Sequence, residues 1–212
     1  MDKWLRAFYD VTARRPSGWL GRLMYRNPVG HYGFFRVAMA ALQLQPEDIL
    51  LEVGCGGGVL LDMALQTVQR ACGIDRSSDM VALARQKNAQ ALFEGHVGIV
   101  HGDVQALPWD GETFTCAASV EVLCFIEDPM QALRELGRVL RPGGRLVFVT
   151  AAQPNSALST LLYYPWLRYL RFHPDDALAS MLKAAGFQTV RVQKVDRSEH
   201  TNFAHQLAYA AK

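Results

Sequence analysis

A cluster of glycines behind an acid is the part of the sequence best suited to binding a ligand. Residues 52–58 read EVGCGGG and follow an apolar run that begins at Ile49. Residues without Cβ let a ligand approach the main chain closely, and a helix that begins near Gly58 would add unpaired N–H groups. The stretch is typical of a nucleotide-binding turn between a buried strand and a helix.

The spacing of the glycines narrows the choice of ligand. The dinucleotide fingerprint G-x-G-x-x-G would need a third glycine at position 59, after Gly54 and Gly56, but Val59 stands there. The pattern is instead an acid followed by glycines at every second position up to Gly58. The sequence therefore disfavours a dinucleotide.

A second acid follows at the end of the next apolar run, residues 71–74. Asp75 lies 21 residues after Gly54, which is the spacing at which an acid that ends the second strand reaches a ribose diol. A carboxylate suits this task because it accepts hydrogen bonds from both hydroxyls at once.

The order of these and later motifs resembles that of the class I S-adenosylmethionine-dependent methyltransferases. The sequences of the motifs are most similar to those of the small single-domain group that includes quinone-biosynthesis and small-molecule methyltransferases. The resemblance covers about residues 47–195. Its five matches are the glycine motif, Asp75, the GDVQALP stretch at 102–108, the PGG turn at 142–144 and the closing AGF at 185–187.

This resemblance implies S-adenosyl-L-methionine as the cofactor. The acid of the GD motif, Asp103, would receive the adenine amino group, and the backbone amide of Val104 would meet a ring nitrogen. An aspartate accepts but does not donate, so it selects an exocyclic N–H donor. The residues that the resemblance assigns to the cofactor are Glu52, Gly54, Cys55, Gly56, Gly58, Asp75, Arg76, Met80, Asp103, Val104 and Ser119.

The implied fold is α/β: a Rossmann-like, mostly parallel seven-stranded sheet flanked by helices, with an antiparallel C-terminal hairpin strand and a helical N-terminal cap. Hydrophobic periodicity and cap signals agree with it. They predict strands near 49–53, 71–75, 95–101, 114–120, 145–150, 187–195 and 203–211. The predicted helices lie near 2–13, 19–25, 30–43, 59–68, 78–93, 129–140 and 174–185.

Two segments lie apart from the motifs. Residues 1–45 form the expected cap before a methyltransferase domain at 46–212, and their arginines alternate with aromatic residues. That mixture fits a lid, a membrane-surface patch, an RNA contact or aromatic packing beneath solvated arginines. The apolar and basic stretch 151–173 is expected to be either a substrate cap or a packing surface.

The composition of the chain limits its number of domains, its class of partner and its cellular compartment. The 212 residues are 50% hydrophobic, enough for one core with a small cap, and the net charge of +2 does not by itself indicate nucleic-acid binding. Four cysteines without a CxxC pair predict buried thiols, and the charged first residues do not resemble a signal peptide. We expect a cytoplasmic monomer or homodimer with a small-molecule substrate, no membrane span, no DNA and no metal.

The implied reaction is in-line displacement of the sulfonium methyl by an acceptor whose nucleophile is oxygen, carbon or a small amine. The basic, aromatic cap favours an aromatic, lipid-like or acidic molecule. Alignment alone can supply much of the acceleration, so the sequence identifies no catalytic residue. The candidate bases are Tyr9, His31, Glu121 and His173, whereas His200 and His205 are expected to pack in the C-terminal hairpin. The alternatives are a cofactor-binding subunit without turnover and an RNA methyltransferase.

Overall fold

A computed structural model describes the chain over residues 16–154, 157–167, 170–195 and 203–212. The predicted helix near 2–13, the candidate base Tyr9 and His200 lie outside these ranges. The helices are α1 (Gly18–Arg26), α2 (Tyr32–Leu42), α3 (Val59–Ala64), α4 (Ser78–Lys87), α5 (Ala89–Phe93), α6 (Pro129–Val139), α7 (Ala157–Leu167) and α8 (Asp175–Ala184). The strands are β1 (Ile49–Val53), β2 (Arg70–Asp75), β3 (Val97–His101), β4 (Phe114–Val120), β5 (Leu140–Pro154), β6 (Thr189–Val195) and β7 (Phe203–Ala211).

The strands form one seven-stranded sheet in the order β3-β2-β1-β4-β5-β7-β6. The first five strands in this order pair in parallel, and β7 runs antiparallel to both β5 and β6. The strand order reverses between β1 and β4, which is where open α/β sheets bind their ligands. The predicted fold class is confirmed.

Helices cover both faces of the sheet, so the central strands are buried on each side. Side chains of α2, α3 and α4 pack in one core cluster, and those of α6 and α8 pack in the other. This explains why the residues of β1 and β4 are buried almost without interruption, rather than being alternately buried and exposed. Among the described residues, no helix is both long and apolar enough to cross a membrane.

Several boundaries differ from the predicted ones. The helix after the glycines has six residues rather than about ten, and the helix predicted to run to Phe93 is interrupted at Asn88. The Asn88 side chain donates to the carbonyl groups of Gly58 and Ala84, so this position joins α4 to the glycine turn. Strand β5 also extends beyond the predicted 145–150 at both ends.

The first strand of the sheet begins beside a buried acid. Asp48 is 4% exposed and accepts hydrogen bonds from Thr115 Oγ1 at 2.6 Å and from the Gln45 amide at 2.8 Å, and it pairs with Arg145 of β5. Burial alone would raise its pKa, but the Thr115 and Gln45 hydrogen bonds and the Arg145 charge together hold the pKa of Asp48 below its usual value.

We predict that Asp48→Asn lowers the free energy of unfolding at pH 7 by about 1.5–3 kcal/mol, because it weakens charge-assisted hydrogen bonds. A lowered carboxyl pKa stabilises the fold above the unfolded-state pKa, and this contribution disappears as the pH falls through the folded-state pKa. The difference from wild type should therefore shrink between pH 5 and pH 3. Urea unfolding measures it, with the exposed Asp110→Asn as control, and equal midpoints at pH 7 would contradict it.

Candidate functional site

The glycine turn connects β1 to α3 in a conformation that side chains would obstruct. Gly54, Gly56 and Gly58 all have positive φ angles, of 70°, 49° and 74°. A Cβ at Gly54 would lie 2.2 Å from Val122 Cγ2, and one at Gly57 would lie 2.3 Å from the Tyr25 carbonyl oxygen. The turn therefore requires glycine both for its dihedral angles and for the close approach of two other segments.

Asp75 fixes this turn from the end of β2. Its Oδ2 accepts a hydrogen bond from the Gly56 amide at 2.9 Å, and its Oδ1 accepts one from the Ser77 amide at 2.8 Å. Burial raises the pKa of Asp75, and these two hydrogen bonds act in the opposite direction. Each carboxylate oxygen has a second lone pair, so the side chain can still accept from a ligand.

A cleft opens along the carboxyl ends of β1 to β4 and encloses about 990 Å³ of space that is continuous with solvent. Nine of the predicted cofactor residues line it: Glu52, Gly54, Cys55, Gly56, Asp75, Arg76, Met80, Asp103 and Val104. The structure thus brings together residues from the ends of three strands.

The two other predicted residues do not line the cleft. A Cβ on Gly58 would lie 2.6 Å from Asn88 Nδ2 and 2.9 Å from Ala84, so this glycine faces α4 instead. Ser119 is 1% exposed and lies two residues from Ala117, whose side chain packs on the α6 and α8 face of the sheet. Because strand side chains alternate, Ser119 points to that same face rather than into the cleft.

Glu52 is buried at the floor of the cleft. It is 2% exposed, and no described residue provides a hydrogen-bond partner for its Oε2. Burial, reinforced by the nearby Asp75, raises the pKa of Glu52 well above its usual value of 4.5. A buried acid with an unsatisfied oxygen is expected where a ligand supplies the missing donor.

Asp103 follows β3 and lies beside the same cleft. Its Oδ1 accepts hydrogen bonds from the backbone amide of Gln105 at 2.9 Å and from the Gln105 side chain at 3.1 Å. These contacts fix the carboxylate next to Val104 and leave it able to accept from a further donor.

The N-terminal segment closes over the glycine turn. The Pro16 carbonyl accepts from Ser77 Oγ at 2.5 Å, and the Gly18 amide donates to Asp79 Oδ2 at 2.6 Å. Tyr25 lies against Gly56 and Gly57 and lines the cleft. Burial, with smaller contributions from Asp75 and Glu121, raises the pKa of Tyr25 to about 12, so its hydroxyl stays protonated at neutral pH.

Another part of the lining, here called the β4 side, comprises His31, Phe35, Glu121, Val122, Phe125 and Ile126. It is mostly apolar and aromatic. Burial is the main cause that lowers the pKa of His31, so its imidazole is neutral at pH 7. Of the candidate bases, His31 and Glu121 lie here, whereas His173 is not among the residues that line the cleft.

Glu121 is paired with a histidine that the sequence assigns to packing. His205 of β7 places its Nε2 3.3 Å from Glu121 Oε2, and its ring packs on Phe34 with the ring centroids 4.3 Å apart. The two residues are 84 positions apart in the sequence. No local pattern could have connected them; only the antiparallel pairing of β7 with β5 does so.

Comparison with known proteins identifies similar chains. A family model described as "Methyltransferase domain" matches residues 51–148. A demethylmenaquinone methyltransferase of Shouchella clausii is 30% identical over 189 residues, which cover 77% of this chain and 80% of that protein. An uncharacterized 37.1 kDa protein in transposon TN4556 of Streptomyces fradiae is 40% identical over 114 residues, but these cover only 52% of this chain and 32% of that protein.

The fold is also similar to that of a geranyl diphosphate C-methyltransferase from Streptomyces coelicolor, solved with Mg²⁺, geranyl diphosphate and S-adenosyl-L-homocysteine. The TM-score is 0.70 at 17% sequence identity, and the match covers 84% of this chain and 76% of that one. At this identity the likeness establishes the fold alone.

The raised pKa of Glu52 predicts a pH dependence of stability in the ligand-free protein. A raised carboxyl pKa stabilises the fold fully below the unfolded-state value, and the contribution is lost as the pH rises toward the folded-state value. Glu52→Gln removes this titration, so its melting temperature should fall less than that of wild type between pH 5 and pH 8. A difference of a few degrees is expected, since about 1 kcal/mol shifts the melting temperature by roughly 2–4 °C at this chain length.

Calorimetric melting at both pH values measures the effect. The control is Glu47→Gln, at an exposed position before β1. If wild type and Glu52→Gln lose stability in parallel as the pH rises, Glu52 does not titrate in this range and the interpretation is wrong.

Proposed function

The chain belongs to the class I S-adenosylmethionine-dependent methyltransferases, and we propose that the acceptor of the methyl group is a neutral phenol or hydroquinone with an apolar body. The enzyme uses S-adenosyl-L-methionine as its methyl donor and acts on a small molecule. The observation that carries the proposal is the composition of the β4 side of the cleft. It combines apolar and aromatic side chains with two groups that can accept a hydrogen bond, those of Glu121 and His31.

The residues of the cleft fit this cofactor. We assign Asp75 to the ribose hydroxyls and Asp103 to the adenine amino group, because both carboxylates are fixed by backbone donors and can accept further hydrogen bonds. The unpartnered Oε2 of Glu52 fits a ligand that carries N–H donors. When bound, the cofactor supplies an electrophilic methyl group on a sulfonium.

The order of the strands supports this orientation. Asp103, Asp75, the glycine turn and Glu121 lie at the carboxyl ends of β3, β2, β1 and β4. These strands are successive neighbours in the sheet, about 4.8 Å apart. A cofactor with its adenosine over β3 and β2 would therefore direct its methionine part toward β4. The protein's contribution is to align the acceptor there and to exclude water.

We further propose that residues 1–45 act as a lid and that 151–173 act as a substrate cap. The hydrogen bond between Pro16 and Ser77 and the contacts of Tyr25 with the glycine turn support the first assignment. The second is supported by the Arg171 amide, which donates to the Cys124 carbonyl at 2.9 Å and so joins the end of the segment to the loop after β4.

The chemistry of the β4 side also separates acceptor classes. The carboxylate of Glu121 repels an anionic acceptor and accepts a hydrogen bond from a hydroxyl, which favours a neutral phenol over a phosphorylated or acidic molecule. The similar protein of Shouchella clausii is named for demethylmenaquinone, a molecule that is aromatic and apolar. We therefore propose a hydroquinone of this kind.

For the cellular setting we propose a reducing cytoplasm and a monomer or homodimer. The four cysteines are free thiols, three of them buried, which is consistent with a reducing compartment.

Transfer of a labelled methyl group tests the acceptor. Reduced 1,4-naphthoquinone and short-chain demethylmenaquinol are expected to take up label from S-adenosyl-L-methionine, and geranyl diphosphate and transfer RNA are not. Labelling of geranyl diphosphate or RNA without labelling of either hydroquinone would overturn the proposal.

We predict that Asp75→Ala weakens the binding of S-adenosyl-L-methionine at least tenfold, because a charge-assisted hydrogen bond contributes about 1.5–3 kcal/mol. Isothermal titration calorimetry measures the affinity. The control is Asp62→Ala, a helix acid at 50% side-chain exposure. Unchanged affinity in Asp75→Ala would show that the cofactor lies elsewhere.

A further inference from the structure

We propose that Glu121 is the general base of methyl transfer and that His205 is the residue that positions it. The inference rests on the proposed function, because it requires an acceptor hydroxyl at the β4 side of the cleft. It selects one of the candidate bases and adds a histidine that the sequence assigns to packing.

The backbone at Glu121 is fixed in an unusual conformation. Glu121 directly follows the last residue of β4 and has a φ of 59°, in the left-handed region that non-glycine residues rarely adopt. Its amide nevertheless donates to the Val149 carbonyl of β5 at 2.7 Å. The sheet therefore maintains the strained turn, which places the Glu121 side chain in the lining of the cleft.

The two oxygens of the Glu121 carboxylate have different surroundings. Oε2 lies 3.3 Å from His205 Nε2, whereas Oε1 is buried and has no hydrogen-bond partner among the described residues. A buried oxygen without a partner is costly, so the Glu121 carboxylate is stabilised when a bound acceptor donates a hydrogen bond to it. The donor that the proposed acceptor brings is its hydroxyl.

His205 is well placed to hold the carboxylate in this orientation. It is 6% exposed, lies opposite Ala151 of β5 and Val195 of β6, and packs against the ring of Phe34. The ring can donate to Oε2 through an N–H at Nε2, which leaves Oε1 directed to a different partner. Since His205 is not among the residues that line the cleft, it acts through Glu121 rather than on the acceptor.

The other titratable groups around Glu121 come from three further segments. These are Tyr25 of α1, His31 before α2 and Cys124 after β4. Burial raises the pKa of Tyr25 and of Cys124 and lowers the pKa of His31, so all three are uncharged at neutral pH.

The step balances in atoms and charge. The acceptor hydroxyl oxygen forms a bond to the methyl carbon, the carbon–sulfur bond breaks with its electron pair remaining on sulfur, and the proton of that hydroxyl moves to the Glu121 carboxylate. The sulfonium becomes a neutral thioether as the carboxylate becomes a neutral acid. Removing the proton during the attack makes the acceptor a stronger nucleophile.

Glu121→Gln tests the base, because it keeps the shape of the side chain and removes its ability to take a proton. The rate of single-turnover methyl transfer to reduced 1,4-naphthoquinone at pH 7 is expected to fall about 10²- to 10⁴-fold. Affinity for S-adenosyl-L-homocysteine, which carries no sulfonium charge, should stay within about twofold. The loss should shrink toward pH 10, where a phenol with a pKa near 10 ionises without help. Glu94→Gln, at the exposed position directly after α5, is the matched control.

His205→Gln tests the positioning role. Its rate should fall about tenfold or more, and the double variant with Glu121→Gln should be no slower than Glu121→Gln alone, because His205 acts only through that carboxylate. Should His205→Gln fail to fold, Phe34→Leu, which removes the ring that packs on His205, replaces it in the same double-variant comparison. If the double variant instead loses rate by the product of the two single-variant losses, the positioning role is contradicted.

A nuclear magnetic resonance titration gives a measurement without an acceptor. The charge of Glu121 raises the pKa of His31 against the effect of burial, so Glu121→Gln should lower the pKa of His31 further. An unchanged pKa would contradict the arrangement of charges on which the proposal depends.

The outcomes separate this inference from the proposed function. If wild type methylates no hydroquinone, the proposed acceptor is wrong and the base assignment falls with it. If wild type methylates a hydroquinone and Glu121→Gln does so at a rate within about twofold, the acceptor stands and the base assignment alone is wrong.

Discussion

The carboxylate of Asp75 is the interaction on which the rest of the site depends. It holds the amide of the glycine turn with one oxygen and the amide of Ser77 with the other, so two chain reversals at neighbouring strand ends become one rigid unit. The Ser77 hydroxyl then donates to the Pro16 carbonyl, which attaches the N-terminal segment to the same unit. The glycine turn, the start of α4 and the N-terminal segment are therefore connected through the buried carboxylate of Asp75.

Two buried acids near β1 show how structural and functional roles differ for the same chemistry. Asp48 accepts hydrogen bonds from Thr115 and Gln45 and pairs with the Arg145 guanidinium, and its pKa is lowered. Glu52, four residues later, is equally buried but has an oxygen without a partner and a raised pKa. The first stabilises the sheet, whereas the second lowers the stability of the empty protein at neutral pH. A raised pKa of this kind is typical of a position whose donor comes from a ligand.

The features predictable from sequence were those set by neighbouring residues. The glycine turn, the acid that ends β2 and the apolar run of β4 lie within short segments, and the structure has them where the spacing indicates. Boundaries that depend on tertiary contacts were less predictable. The break at Asn88 arises from its hydrogen bond to the Gly58 carbonyl, 30 residues away. Likewise, which face of β4 holds Ser119 follows from strand register rather than from the motif.

The pairing of Glu121 with His205 also depends on a tertiary contact and could not be predicted from neighbouring residues. It arises because β7 lies between β5 and β6 in the sheet. The most direct test of the whole account is a crystal structure of the protein with S-adenosyl-L-homocysteine. The account predicts the ribose hydroxyls at Asp75, the adenine amino group at Asp103 and the sulfur directed toward Glu121. A sulfur atom directed away from β4, or a nucleoside bound outside the glycine turn, would contradict it.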